Sequence, residues 1–236
     1  MTCSTTTGQM IKEPPDLESD VTAGDICGVL LAAGAGRRAG GPKALRMDTG
    51  GTSWLLRSIT TLRDGGCDAV IVVLGCQAIR ARGLIMASEF AADPMITVVD
   101  APDWQLGMAS SLRNGLLAAR VQPWRAVLVH LVDLPDVTAE VVRRVIQQTP
   151  PGTASLARAT YDGRPGHPVC IGRDHLESIM ASLAGDAGAK DYLAIHGVRS
   201  VECGDLASGE DHDNAWQSRG IDERRERSEP CSPPPR

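Results

Sequence analysis

Residues 29–45, VLLAAGAGRRAGGPKAL, decide the fold. The stretch opens as an apolar run suited to the inside of a parallel sheet. It turns at once into glycine and alanine punctuated by Arg37, Arg38 and Lys43. Small residues let a backbone come close to a ligand, and three cations on one loop suit an anionic one. A strand that ends in such a loop, at the carboxyl edge of a sheet, is a place to hold polyphosphate.

Outward from this stretch the chain alternates. Residues 26–31 form the strand that feeds the loop. Residues 48–51 read as a turn, and Trp54, Leu55, Ile59 and Leu62 recur at helical spacing up to a Gly65-Gly66 stop. Residues 69–74, AVIVVL, are apolar throughout, as in a strand covered by helices on both faces. A helix over 77–90 and a strand over 95–99 follow. Residues 104–120 read as a loop entering a helix, with Met108, Leu112 and Leu116 on one face. The strongest strand is 126–132, with Asp133 at its end, and Thr138 is placed to cap the next helix. After Pro150 the rhythm changes. Residues 154–160 and 169–171 read as strands joined by the hairpin-like excursion YDGRPGHP. A helix spans 173–183, the turn GDAGAK leads to a short helix over 191–195, and 198–203 is a last strand.

Strand and helix alternate through residue 149, which implies a parallel sheet with right-handed crossovers. The expected fold class is α/β: a Rossmann-like three-layer αβα sandwich, mostly parallel, with an antiparallel hairpin addition. One domain over 25–218 is expected between two tails, 1–24 and 219–236, whose polar, charged and proline-rich composition predicts disorder.

Composition bounds the function. The 236 residues are 42% apolar, enough for a sizeable core, but only 3% aromatic, so that core must be largely aliphatic. Few aromatics and a net charge of -5 argue against a surface that coats nucleic acid. The seven cysteines include no C-x-x-C pair; Cys67, Cys76, Cys170 and Cys203, in or next to apolar runs, are expected to be buried thiols of a reducing compartment, and neither a disulfide framework nor a zinc site is expected. The N-terminus has no apolar signal region, and no run approaches the roughly 20 apolar residues that span a bilayer. The expected location is the cytoplasm, with no membrane partner.

Two familiar phosphate loops fail against residues 31–43. A Walker A loop needs Gly-Lys-Ser/Thr; Gly36 and Gly41 have the glycine spacing, but Pro42 takes the lysine position. A dinucleotide fingerprint needs its third glycine one place earlier than Gly40 and an acid at the end of the second strand, which instead ends Leu74-Gly75. A third pattern fits: L-A-A-G-x-G-x-R-x-G-x-x-K. It resembles the signature loop of nucleotidyltransferases that couple an NTP to a phosphorylated acceptor. GMASSLRNGL at 107–116, LVDLP at 131–135, GRPGHPV at 163–169, GDAGAK at 185–190 and EDHD at 210–213 fall in that family's order. Together they look most like the molybdenum cofactor cytidylyltransferase branch. Guanylyltransferase relatives usually read Leu-Ala-Gly-Gly where this chain has Leu31-Ala32-Ala33-Gly34.

The resemblance implies a set of roles. Leu31, Ala32, Ala33, Gly34, Ala35 and Gly36 hold the nucleotide, while Arg38 and Lys43 grip its phosphates and Arg37 is a bystander. Gly107, Ser110 and Ser111, opening a helix, are further nucleotide contacts; a plain helix cap is the other reading. Asp133, ending a buried strand, suits Mg²⁺, with Asp213 as second ligand or Asp211 in its place. His167, Asp186 and Lys190 border the acceptor. The four tryptophans are read as packing residues.

The reaction implied is transfer of CMP from CTP to a molybdopterin-type cofactor with release of pyrophosphate, the product passing to a recipient molybdoenzyme. Other acceptors or bases remain open: a sugar or alcohol phosphate, or guanine, with Ala101 and Asn214 departing from the branch's usual residues. A nucleotide-binding module without turnover also remains open. An NAD-dependent oxidoreductase is disfavoured by the failed fingerprint.

Overall fold

A computed structural model of the chain describes residues 26–37 and 40–211. Arg38, Asp213, Asn214 and both expected tails lie outside the described residues. Seven strands form one sheet in the order β3-β2-β1-β4-β6-β5-β7. The first half is the expected alternation: β1 (Ile26–Ala32), α1 (Trp54–Asp64), β2 (Ala69–Leu74), α2 (Ala78–Met86), β3 (Ile96–Asp100), α3 (Met108–Ala119), β4 (Ala126–Leu131) and α4 (Ala139–Gln148). These four strands run parallel. The second half holds β5 (Leu156–Tyr161), β6 (Arg164–Gly172), α5 (Leu176–Ser182), α6 (Lys190–Ile195) and β7 (Arg199–Glu202). Strand β6 is antiparallel to both β4 and β5, and β7 returns parallel to β5.

Alternation along each strand separates two cores. Ile26, Leu30, Val70, Val72, Leu74 and Leu128 face α1, α2 and α4. Cys27, Val29, Leu31, Ile71, Val73, Val127 and Val129 face α3, α5 and α6. The sheet is thus the middle layer of three. Val141, Val142 and Val145 of α4 are fully buried, each stabilising the fold by roughly 1.5–3 kcal/mol. Helix α3 lies so close to β1 that a Cβ on Gly115 would stand 2.6 Å from Val29 Cγ1.

Local chemistry explains the element ends. Ser53 caps α1 by accepting from the amide of Leu56, and Gly65 ends it. Thr138 does precede α4, but its side chain makes no capping bond. The excursion expected between 161 and 168 is shorter than its sequence suggested. Strand β6 already begins at Arg164, and Asp162 and Gly163, both at positive φ, make a two-residue turn. The Glu202 carboxylate holds that turn by accepting from the amides of Asp162, Gly163 and Gly204 and from the Thr160 hydroxyl. A contact spanning 40 residues is invisible to local pattern reading.

Cys67, Cys170 and Cys203 are buried free thiols, as expected, and so is Cys27. Cys76, after β2, is disulfide-bonded, which corrects the expectation of thiols throughout. Among the described residues no helix is long and apolar enough to cross a membrane.

Candidate functional site

The chain leaves β1, adds β2 and β3 on one side, and crosses back to set β4 on the other. The carboxyl ends of β1 and β4 therefore diverge at a switch point, where open α/β sheets bind ligands. A cleft of about 620 Å³ opens there. Leu31, Ala33, Gly34, Ala35, Gly36, Arg37 and Lys43 line one wall. Leu131, Val132 and Asp133 form the floor, and Trp104, Gln105, Gly107, Met108, Ser111 and Asp186 face them.

The loop after β1 is fixed at both ends. The Cys76 amide donates to the Ala33 carbonyl at 2.9 Å, and the Gly41 amide to the Gly36 carbonyl at 3.1 Å. Gly36 has φ +56°, and a Cβ there would collide with the Gly41 carbonyl oxygen. Lys43 then enters a one-turn helix, and its Nζ donates to Asp133 Oδ2 at 2.5 Å. Both side chains are largely buried, 14% and 16% exposed. They meet because β1 and β4 pair in parallel with Leu31 opposite Leu131, so the residues that follow each strand share one edge.

The facing wall is less free than its sequence suggested. The first two amides of α3 are occupied: Met108 donates to Asp186 Oδ1 at 3.2 Å and Ala109 to the Gly185 carbonyl at 3.0 Å. Asp186 therefore lines the cleft and caps the helix together. Ser111 reaches the cleft; Ser110 is 7% exposed, and its hydroxyl has no partner. Trp104 does more than pack. It covers Gly75, where a Cβ would lie 2.7 Å from its ring, and walls the cleft. A single tryptophan in a loop carries no signal of that dual position.

The remaining expected residues divide. Ala32 points into the core away from the cleft, as alternation demands. Arg37 lines the cleft; Arg38, expected to grip phosphate, lies outside the described residues. Lys190 is exposed at the start of α6 and is not part of the cleft wall. His167 is partly buried beyond Asp133. Burial pushes its imidazole down to about 4, against the raising effect of the Asp133 carboxylate, and the Arg158 cation lowers it further. Next to it in the sheet, His130 on β4 is 1% exposed with neither ring nitrogen partnered, and burial first, then His167, holds it down to about 3.

Among the described residues no cluster of three or more His, Cys, Asp or Glu side chains is disposed to hold a metal. Asp133 offers the hard carboxylate oxygen that Mg²⁺ or Mn²⁺ takes. Asp211 is exposed on the segment that returns over the hairpin, and Asp213 lies outside the described residues. Asp136 tethers that segment. Its Oδ2 accepts from the Ser208 amide at 2.7 Å, the Ser208 hydroxyl at 2.6 Å and the Gly209 amide at 3.2 Å.

A glycine loop over a switch point, a buried lysine–aspartate pair beneath it and an open cleft define a nucleotide-handling α/β protein. The chain belongs to the MobA-like NTP transferase domain family, which matches residues 28–201, and it is a nucleotidyltransferase-family protein. It is similar to nicotine blue oxidoreductase of Paenarthrobacter nicotinovorans, 36% identical over 202 residues that cover 81% of this chain and 94% of that one. Among solved structures it resembles Rv0371c of Mycobacterium tuberculosis H37Rv, 30% identical with a TM-score of 0.60, over 77% of this chain and 89% of that one. Rv0371c is also known in complex with manganese. A nucleotidyl transferase of Methanothermobacter thermautotroptrophicus, Mth528, shares the fold at 21% identity and a TM-score of 0.62, over 75% and 87% of the two chains.

Proposed function

We propose that the protein transfers CMP from CTP to a molybdopterin-type cofactor and releases pyrophosphate. The observation that carries the reading is the Lys43–Asp133 pair beneath the glycine loop. Nucleotidyl transfer joins two anions, so catalysis is positioning and charge neutralisation. An oxygen of the acceptor phosphate forms a bond to the α-phosphorus. The bond from that phosphorus to the bridging oxygen breaks, and its electron pair leaves on pyrophosphate. The amides of residues 33–36 hold the triphosphate. Lys43 follows charge onto the leaving group, with Arg38 beside it. Asp133, with Asp213 or Asp211, would hold Mg²⁺, which supplies charge neutralisation between the phosphates. Ser111 and Gly107 bound the nucleotide on the α3 side, and Leu31-Ala32-Ala33-Gly34 is what inclines the base choice to cytosine.

Pyrophosphate release tests this. CTP, GTP, ATP and UTP are each supplied with Mg²⁺ and either molybdenum cofactor or a sugar phosphate. Release with CTP and molybdenum cofactor alone is expected. Release with GTP, or with the sugar phosphate, moves the base or the acceptor within the class.

A second reading has one specific support: the curated relative at 36% identity is named for an oxidoreductase. In that reading the cleft takes a reduced nicotinamide dinucleotide. Oxidation of NADH or NADPH by a quinoid dye, with no pyrophosphate from any NTP, replaces the transferase reading.

A further inference from the structure

We propose that Arg158, on β5 beside His167, is the anion-binding residue of the acceptor half of the cleft and takes a phosphate monoester. The acceptor role rests on the transferase reading above; the anion site itself does not.

Alternation along β5 places Arg158. Ala157 and Ala159 are buried against the α1/α4 layer, whereas Leu156 faces the α3/α5 layer. Arg158 shares the second face, the side of the cleft. It is registered opposite Val169 of β6, two residues from His167. Between the Arg158↔Val169 and Thr160↔Pro165 pairs, residues 166–168 of β6 oppose Ala159 alone, so the irregularity, of the kind found beside active sites, lies at His167. Strand β6 lies between β5 and β4, and β4 carries Leu131 and Asp133 at its carboxyl end. The fields of Asp133 and Arg158 both act on His167, so all three belong to one neighbourhood.

Arg158 lacks what arginines elsewhere in the chain have. Arg57, Arg82, Arg120 and Arg144 each meet a carboxylate, and Arg113 binds two carbonyls. Arg158 is partly buried, its Nε is buried without a partner, and among the described residues no hydrogen bond or ion pair reaches its guanidinium. Arg125 also has a buried unpartnered nitrogen, but it precedes β4 at the opposite edge of the sheet, away from the cleft. A buried guanidinium nitrogen without a partner is costly, and a bidentate phosphate is the partner a guanidinium fits best.

The spacing suits an acceptor and not the nucleotide. Strands lie about 4.8 Å apart, so β5, two places from β4, is roughly 10 Å from the strand that carries Asp133. Two phosphate oxygens held on Arg158 leave the third to form the bond to the α-phosphorus, as the bridging oxygen departs with its electron pair on pyrophosphate.

The test uses the full chain without any second substrate. Phenyl phosphate and inorganic phosphate are titrated calorimetrically into wild type, Arg158→Met and Arg158→Lys, and CTP with Mg²⁺ is titrated into the same three. Expected is a loss of about tenfold or more in phenyl phosphate affinity for Arg158→Met, with partial recovery in Arg158→Lys. CTP affinity should stay within about twofold. Inorganic phosphate binding as tightly as phenyl phosphate identifies a general phosphate site and still supports the assignment. Unchanged phenyl phosphate binding in Arg158→Met overturns it, as does an equal loss of CTP. If Arg158→Met does not fold, phenylglyoxal labelling of wild type decides. Phenyl phosphate, but not CTP, should protect Arg158, and labelling indifferent to phenyl phosphate overturns the proposal. An Arg158-dependent phosphate site in a protein that releases no pyrophosphate removes the transferase reading and leaves the anion site standing.

Discussion

The Nζ of Lys43 and Oδ2 of Asp133 stand 2.5 Å apart across 90 residues of sequence, one on the loop leaving β1 and the other just past β4. The pair neutralises two charges that are each about six-sevenths buried. In the proposed reaction Lys43 would meet the phosphates and Asp133 the metal ion, so ligand binding would exchange this contact for others. Lys43→Met and Asp133→Asn are each expected to slow pyrophosphate release by roughly a hundredfold or more. Each also removes one half of the ion pair, at a cost of about 1–3 kcal/mol. The double variant should be less destabilised than the sum of the two. Denaturant midpoints for the four proteins check the coupling, and additive losses would mean that the two side chains do not act as a pair.

Gly36 turns the loop where no Cβ fits. Gly36→Ala should leave the sheet intact, lower the melting midpoint through the strained loop, and weaken NTP binding at least tenfold by displacing the 33–36 amides. Circular dichroism and nucleotide titration separate the two effects. Unchanged NTP affinity would place the phosphates elsewhere.

His130 ties stability to pH. Its imidazole is held down to about 3, so the unfolded chain, titrating near 6.5, binds the proton first as pH falls. Stability is complete above about 6.5 and is lost between there and about 3, by at most roughly 1.4 kcal/mol per pH unit from this group. His130→Leu should flatten that slope. Because it also removes two unpartnered nitrogens, it should not lower stability at neutral pH. A large loss at pH 7.5 would show that the ring nitrogens have partners.

Glu202 acts lower on the scale. The Gly204 amide first, then the Thr160 hydroxyl and the hairpin amides, hold its carboxyl down to about 2. Its contribution is complete above the ordinary value near 4.5 and disappears as pH falls through about 2. Glu202→Gln should lower the melting midpoint at pH 7 and narrow its gap to wild type at pH 2. Amide exchange at Asp162 and Gly163 should rise in the variant; equal protection would mean that the carboxylate does not hold the turn.

Asp136 tethers the segment that leads to Asp211. Asp136→Ala should raise the Mg²⁺ concentration needed for half-maximal pyrophosphate release several-fold while leaving CTP affinity unchanged. An unchanged Mg²⁺ requirement would separate that segment from the metal.

Local chemistry alone determined the first half of the fold. The unbroken apolar runs at β1 and β2, the Ser53 cap and the Gly65 stop each act over a few residues, so their positions follow from order in the chain. The glycine loop and Asp133 were legible as site residues for the same reason: each directly follows a recognisable buried strand. Tertiary structure alone decided the rest. It set Asp186 on the amide of Met108, 78 residues away, and made Trp104 a wall of the cleft. It extended β6 back to Arg164, and it left Arg158 without a counter-charge beside His167. These relationships depend on which strands become neighbours in the β4-β6-β5 order, and no local period in the sequence encodes that order.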